Sequence, residues 1–362
     1  MRWIKDCILV LASLAIAFLG IEVALRIVDD VRFWPIENLI ARQTGLLNIH
    51  TINEYDPLLG WVLKSNVSGG SVDQTFTTGE RGVRMNSPEV RPLPKQAIIA
   101  SGDSFTAGSE VGDVDTWPAQ LEQMLGVPVL NAATGGWATD QIVLRLLQLI
   151  PELEPKLVIA SFLYDDIGRT SFQTYSGGNK PYFKVDADGS LQHHNSPVPA
   201  FKGARNELGA ARSILGYFHT VNWIMGRIGN TDWLLGGKVY VRASNDPVAV
   251  TCSLLNQLAE RARASGTKIV VVLQYGGGQI KQWVTQPADS VQVAECASQI
   301  GLTVVNLWLP LKDALQSQGL DDFKTLFVMH DQRRVFGHMS RAGNAFVARV
   351  VAASVQAEFA KP

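Results

Sequence analysis

Ala97-Ile98-Ile99-Ala100-Ser101-Gly102-Asp103-Ser104-Phe105-Thr106 decides the fold of this chain. A short apolar run, the pattern of a buried strand, ends in Gly-Asp-Ser and leads into residues that can turn helical. The arrangement predicts a serine hydroxyl at the carboxyl edge of a strand, beside the first free N–H groups of a helix. Ligands of open α/β sheets bind at that edge, and helix N-termini there offer donors to a developing negative charge. A Gly-Asp-Ser triplet alone is a weak signal, because a tight turn explains it equally well. Its weight comes from three further blocks downstream.

Val127-Pro128-Val129-Leu130-Asn131-Ala132-Ala133-Thr134-Gly135-Gly136-Trp137 reads as a second strand, with a helix starting near Thr139. Lys156 to Phe162 is a third apolar strand, followed by Leu163-Tyr164-Asp165-Asp166. Near the C-terminus, His338-Met339-Ser340-Arg341-Ala342-Gly343-Asn344 is expected to open an amphipathic helix that runs to about Phe359. Taken as a set, in this order and spacing, these blocks resemble the SGNH (GDSL-type) hydrolase family over residues 97–170 and 250–360.

The resemblance implies a role for each block. Ser104 is the nucleophile, and His338 takes its proton and later returns it. Gly136 supplies a backbone N–H that joins the Ser104 N–H in an oxyanion hole. Asp165 stands where the family has an asparagine donor. The residue types fit that chemistry: a serine hydroxyl is a weak nucleophile until an imidazole accepts its proton. Two positions depart from the pattern. An ionised Asp165 accepts hydrogen bonds and cannot donate one; either burial beside Asp166 keeps it protonated, or it faces elsewhere and only backbone donors remain. Val335 stands where the family usually has an aspartate three residues before the histidine. Asp331 is then the nearest carboxylate for orienting His338, the alternative being a dyad supported by a backbone carbonyl. Trp137 and Asp166 are candidate substrate-binding residues, with a packed core tryptophan as the competing reading for Trp137. For Arg169 a structural salt bridge is favoured over anion binding.

Composition narrows the function classes. The chain has 362 residues, 46% hydrophobic and 18% charged, with 32 Lys+Arg against 33 Asp+Glu. No basic cluster stands out, which argues against nucleic acid as a partner. No Walker-type or Rossmann-type glycine loop is present, and Gly276-Gly277-Gly278 lacks a following Lys-Ser/Thr, so no cofactor is implied. The histidines show no metal-ligand spacing.

The N-terminus stands apart. Cys7 to Ile21 carries no charge, and Glu22 and Arg26 are spaced to neutralise each other. Trp3 and Phe33-Trp34 bracket the segment like interfacial aromatics, and Arg2 and Lys5 precede it. An uncleaved transmembrane anchor over 1–30 is favoured over a signal peptide cut after Ala17. The expected localisation is a single-pass inner-membrane protein with its bulk in the periplasm or outside the cell. Of the three cysteines, Cys252 and Cys296 are expected to be two separate buried thiols, a disulfide being the alternative.

The expected fold is α/β, a doubly wound parallel sheet of the SGNH/flavodoxin-like kind with an N-terminal transmembrane helix. Residues 31–96 are a strand-rich lead-in that braces a catalytic domain over 97–362. An insertion at 171–246 includes a hairpin turning at Asp188-Gly189 and a helix over Ala210–Ile228; it either overhangs the active-site edge and helps choose the substrate, or caps the fold or binds a partner. The expected activity is that of a serine esterase or O-acyltransferase on acyl esters of an envelope polysaccharide. The resemblance implies a membrane-bound O-acyltransferase as partner. The competing expectation is a non-catalytic protein of this fold that binds glycan or a membrane complex.

Overall fold

A computed structural model describes residues 2–29, 52–71, 74–175, 178–200, 214–230, 233, 241–330 and 335–360. The chain divides into two compact units: Met1–Thr51, Ser176–Gly178 and Phe201–Val241 form the smaller, and Ile52–Tyr175, Asn179–Ala200 and Arg242–Pro362 the larger.

The smaller unit is built on helix α1 (Arg2–Val28). Among the described residues it is the one helix long and apolar enough to cross a membrane, with a mean hydropathy of 2.6 over an 18-residue stretch within Trp3–Val28.

The larger unit opens with two antiparallel hairpins. These are β1 (Asn53–Asp56) with β2 (Gly60–Leu63), and β3 (Ser68–Ser71) with β4 (Gln74–Thr77). The core alternates strand and helix: β5 (Ile98–Ser101), α2 (Ser104–Ala107), α3 (Trp117–Leu125), β6 (Val129–Asn131), α4 (Thr139–Leu153), β7 (Leu157–Leu163) and α5 (Tyr164–Arg169). Short strands come next: β8 (Phe172–Tyr175), β9 (Gly178–Asn179), β10 (Tyr182–Val185) and β11 (Leu191–His194). Helix α6 (His219–Arg227) belongs to the smaller unit. After it lie β12 (Val241–Arg242), α7 (Pro247–Ser265), β13 (Lys268–Gln274), α8 (Gly277–Gln282), α9 (Ala288–Gln299) and β14 (Thr303–Asn306). The chain ends with α10 (Trp308–Gln318), α11 (Leu320–Lys324), the hairpin β15 (Phe327–His330) and β16 (Val335–Met339), and α12 (Arg341–Ala360).

The central sheet has the order β14-β13-β7-β5-β6, and its pairings are parallel. Strands β5 and β7 are buried along their whole length, which explains why each is apolar apart from one serine. Strand β5 has β6 on one side and β7 on the other, so strand order reverses there; this is the switch point at which open α/β sheets place their sites. Helix boundaries obey local signals. Thr116 caps α3 through the Ala119 N–H and Gly126 ends it in a left-handed turn. Asp246 caps α7, with Pro247 at its first position.

Three expectations are corrected. His338 lies in strand β16, and the helix starts only at Arg341. Cys252 on α7 and Cys296 on α9 form a disulfide instead of remaining separate thiols, because these helices pack against each other with the two cysteines 5.9 Å apart at Cα. The insertion at 171–246 is not one body. Residues 179–200, including the expected hairpin β10–β11, belong to the larger unit, whereas 201–241 belong with α1. Of the expected helix over 210–228, the described part is helical at Ile214 and Leu215 and again from His219 to Arg227, with a turn between.

Candidate active site

Ser104 is the first residue of α2, immediately after the carboxyl end of β5. Asp103 is the N-cap: its fully buried carboxylate accepts from the Phe105 N–H at 2.9 Å and so fixes the turn that presents Ser104. Gly102 is needed here because a Cβ would sit 2.2 Å from Thr106 Oγ1 and 2.8 Å from the Ser161 carbonyl.

His338 Nε2 lies 2.9 Å from Ser104 Oγ. Its other ring nitrogen, Nδ1, is 2.7 Å from Glu110 Oε2, and the same oxygen accepts from the His338 backbone N–H at 2.6 Å. With Glu110 on Nδ1, the proton sits there and leaves Nε2 free to accept from serine. Asp331 lies outside the described residues, and the place expected for it beside Nδ1 is held by Glu110. Among the described residues, the carboxylate that meets His338 thus comes from the loop after the serine.

The second oxygen of Glu110, Oε1, is 2.7 Å from His330 Nε2. One carboxylate therefore joins histidines from both strands of the β15–β16 hairpin. Gly337 makes room for it: a Cβ there would come within 2.6 Å of both Glu110 Oε2 and His330 Nε2. Burial resists ionisation of Glu110, but the His338 hydrogen bonds and the two imidazoles outweigh it and hold the carboxyl below the ordinary glutamate range.

The lead-in hairpins build the loop that carries this acid. Arg84, fully buried, donates from Nε to Asp113 at 3.0 Å, from Nη1 to the carbonyls of Ala107 and Gly108, and from Nη2 to the carbonyls of Thr75 and Val111. Its backbone N–H also donates to the Asn131 carbonyl. A single guanidinium thereby fixes both ends of the segment that includes Glu110. On the other side, Trp61 of β2 donates from its indole to the Gly135 carbonyl at 3.1 Å, and the Trp137 indole donates to the Trp61 carbonyl at 2.9 Å.

Gly135 approaches the serine closely, a Cβ on it standing 3.8 Å from Ser104 Cβ, and Gly136 is next with φ +78°. Ser104 and Gly136 are the residues expected to offer oxyanion N–H groups. Asp165 is at the rim on α5, where Gln279 Nε2 of α8 lies 3.1 Å from each of its carboxylate oxygens. Partial desolvation pushes the Asp165 carboxyl above the ordinary aspartate range, with Arg169 and the Gln279 hydrogen bonds opposing and Asp103 adding.

Two candidate substrate contacts are corrected. Trp137 is fully buried, its indole spent on Trp61, so it packs and does not line a pocket. Asp166 is also fully buried; it accepts from the Leu163 N–H at 2.8 Å and from Arg169 at 2.5 Å. Arg169 makes the structural ion pair, also reaching Asp103 at 3.3 Å and the Trp137 carbonyl at 3.1 Å. Burial raises the Asp166 carboxyl well above its usual range and Asp103 adds to this, so one guanidinium serves two crowded acids. Glu110 is the residue the sequence reading missed. Its only signal was proximity, six residues beyond Ser104 in Gly108-Ser109-Glu110-Val111.

With this geometry in place, comparison with known families is decisive. Residues 100–346 match the model of the GDSL-like lipase/acylhydrolase family. The chain belongs to this family. Solved structures give a weaker likeness. Psychrotrophic esterase EstA from a Pseudoalteromonas species is 13% identical, with 74% of this chain and 100% of that chain covered and a TM-score of 0.37. A GDSL-like lipase from Bacteroides thetaiotaomicron is 12% identical, with 75% and 93% covered and a TM-score of 0.32. A hydrolase from the metagenome of Lake Arreo is 12% identical, with 73% and 97% covered and a TM-score of 0.40. Comparison with curated proteins gives no match. For this GDSL-type acylhydrolase chain, the family and the parallel α/β fold agree, and Ser104 and His338 both fall inside the matched span.

Proposed function

We propose that this protein is a membrane-anchored serine esterase or O-acyltransferase that acts on acyl esters of a cell-envelope or exported polysaccharide. The observation that carries the catalytic part is the 2.9 Å approach of His338 Nε2 to Ser104 Oγ, with Glu110 behind the ring at 2.7 Å.

Ser104 Oγ attacks the ester carbonyl as His338 Nε2 takes its proton, and Glu110 stabilises the imidazolium that results. The N–H groups of Ser104 and Gly136 hold the tetrahedral oxyanion. As the C–O bond breaks, Nε2 returns the proton to the departing alkoxide and the acyl group stays on Ser104. Water or a sugar hydroxyl then attacks this acyl-enzyme with the same proton traffic, which gives the acid or a new ester. The anchor and the compartment support the polysaccharide reading. Helix α1 is long enough to span a bilayer, and a Cys252–Cys296 disulfide suits an oxidising compartment. A membrane-bound O-acyltransferase that supplies the acyl group is the partner we propose. One feature favours a non-catalytic, glycan-binding reading instead: Asp165 stands where the resemblance expects an asparagine donor, and its carboxylate accepts from Gln279.

The test uses the full-length chain in detergent micelles. Turnover of 4-nitrophenyl acetate and labelling of Ser104 by a fluorophosphonate are expected, both lost in Ser104→Ala. An unlabelled, inactive wild type supports the non-catalytic reading. Incubation of the acyl-enzyme with deacylated polysaccharide, with mass analysis of the products, separates transfer from hydrolysis.

A further inference from the structure

Within the smaller unit, the last turns of α1 carry two charges that an apolar helix should not have. Glu22 and Arg26 are both only 6% exposed. They bond each other at 2.5 Å, and residues 217–220 supply further partners. Glu22 accepts from the backbone N–H of His219 at 2.8 Å, from that of Thr220 at 2.7 Å and from Thr220 Oγ1 at 2.7 Å. Arg26 Nη2 donates to the Tyr217 carbonyl at 2.9 Å. Phe18 and Phe218 pack edge to face at 5.2 Å, and His219 Nε2 is 2.7 Å from Asp29. Glu22 therefore caps the N-terminus of α6 from another helix, which fixes α6 at one level of α1.

That level is informative. From Trp3 to Ile21 is roughly 28 Å of helix at about 1.5 Å per residue, close to the ~30 Å hydrocarbon thickness of a bilayer. Glu22 thus falls where the apolar span ends. On α6 and at its flanks, Ile214 (65% exposed), Trp223, Ile224 and Ile228 (66%) are exposed. Arg227 lies over the Trp223 ring at 4.8 Å, so a basic group accompanies the apolar side chains. Tryptophan, branched aliphatics and arginine on one short helix form the composition of an interfacial helix.

We infer that residues 214–228 form a collar that lies in the bilayer interface, fixed to the anchor by Glu22 and covered by lipid on its Trp223–Ile224–Ile228 side. The occupant of this face is the bilayer in which α1 sits, because α6 is bonded to the end of the span and apolar side chains are exposed on both helices. The inference rests on the reading of α1 as a membrane span.

Cys7 provides the control, since it is the free thiol of α1 while Cys252 and Cys296 are paired. The full chain is reconstituted in vesicles of phosphatidylethanolamine and phosphatidylglycerol in equal amounts. An environment-sensitive fluorophore is placed on Cys7, or on Ile224→Cys or Ile228→Cys in a Cys7→Ser background. Nitroxide lipids carry the quencher either near the headgroup or deep in the chain. The expected result is loss of most emission at 224 and 228 with the shallow quencher, and at Cys7 with the deep one. Adding Glu22→Gln should abolish the shallow quenching at 224. Emission at 224 and 228 untouched by either lipid, with Cys7 still quenched, overturns the collar and leaves the span standing. Untouched Cys7 overturns the span itself. Lipid-insensitive emission at 224 together with a 224–224 cross-link overturns the collar in favour of a second copy of the chain.

Discussion

Glu110 holds Nδ1 of His338 at 2.7 Å although the two residues are 228 positions apart, while Ser104, on the other side of the same ring, is only six positions before Glu110. Nucleophile and acid thus leave one short loop, and the histidine is brought between them by the β15–β16 hairpin. The sequence position of the acid is free to vary because only its approach to Nδ1 matters.

Glu110→Gln keeps the shape but can leave Nε2 protonated, the tautomer that cannot accept from serine. Turnover of 4-nitrophenyl acetate should fall by about 10³–10⁴-fold with little change in KM. Asp331→Asn should stay within about threefold of wild type, since the position beside Nδ1 is already held. The reverse pattern in kcat would return the acid's role to Asp331.

The depressed Glu110 carboxyl also sets a pH dependence of stability. A carboxyl held below its unfolded-state value of 4.5 stabilises the fold fully above that pH and loses the contribution as pH falls through the lower folded-state value. The difference in unfolding midpoint between wild type and Glu110→Gln should therefore be largest above pH ~5 and shrink toward zero on acidification. A difference that grows in acid would contradict the sign of the shift.

Much of this architecture was legible because it rests on local signals. The largely apolar runs ending in Ser101 and Leu163, and the capped helix starting at Pro247, state their own structure. Relationships across the chain were not. Nothing in Glu22 or Thr220 announces that one caps the other, and Cys252 and Cys296 read as separate because helix packing, not spacing, pairs them. Trp137 and Asp166 looked functional from their place beside the motifs, yet they serve the shell that holds those motifs in position. Arg84, in a lead-in that carries no motif, proved to be the anchor of the acid loop.

Asp165→Asn tests the departure in the oxyanion region. Gln279 Nε2 donates to the carboxylate now and would donate equally to an asparagine carbonyl, which leaves the new amide N–H₂ free to serve as a donor. Esterase turnover should rise by roughly 10-fold or more, part of the ~10²–10³ that a full oxyanion donor supplies. Unchanged turnover would mean that residue 165 takes no part in the hole.

Arg84 offers the most discriminating test, because its role in stability and its role in catalysis can be separated. Arg84→Lys keeps a cation beside Asp113 but cannot span the carbonyls of Ala107, Gly108, Thr75 and Val111, which need the planar fork. Arg84→Leu leaves Asp113 buried without its partner and should cost about 3–5 kcal/mol, measured by urea unfolding. The lysine variant should fold and yet lose kcat, with KM little changed, because Glu110 is no longer held against His338. If Arg84 acts through Glu110, its effects on kcat are not additive with those of Glu110→Gln. Arg84→Lys should then lower kcat severalfold in the wild type and hardly at all in the Glu110→Gln background. Equal losses in both backgrounds would show that Arg84 supports the fold at large and not the acid loop.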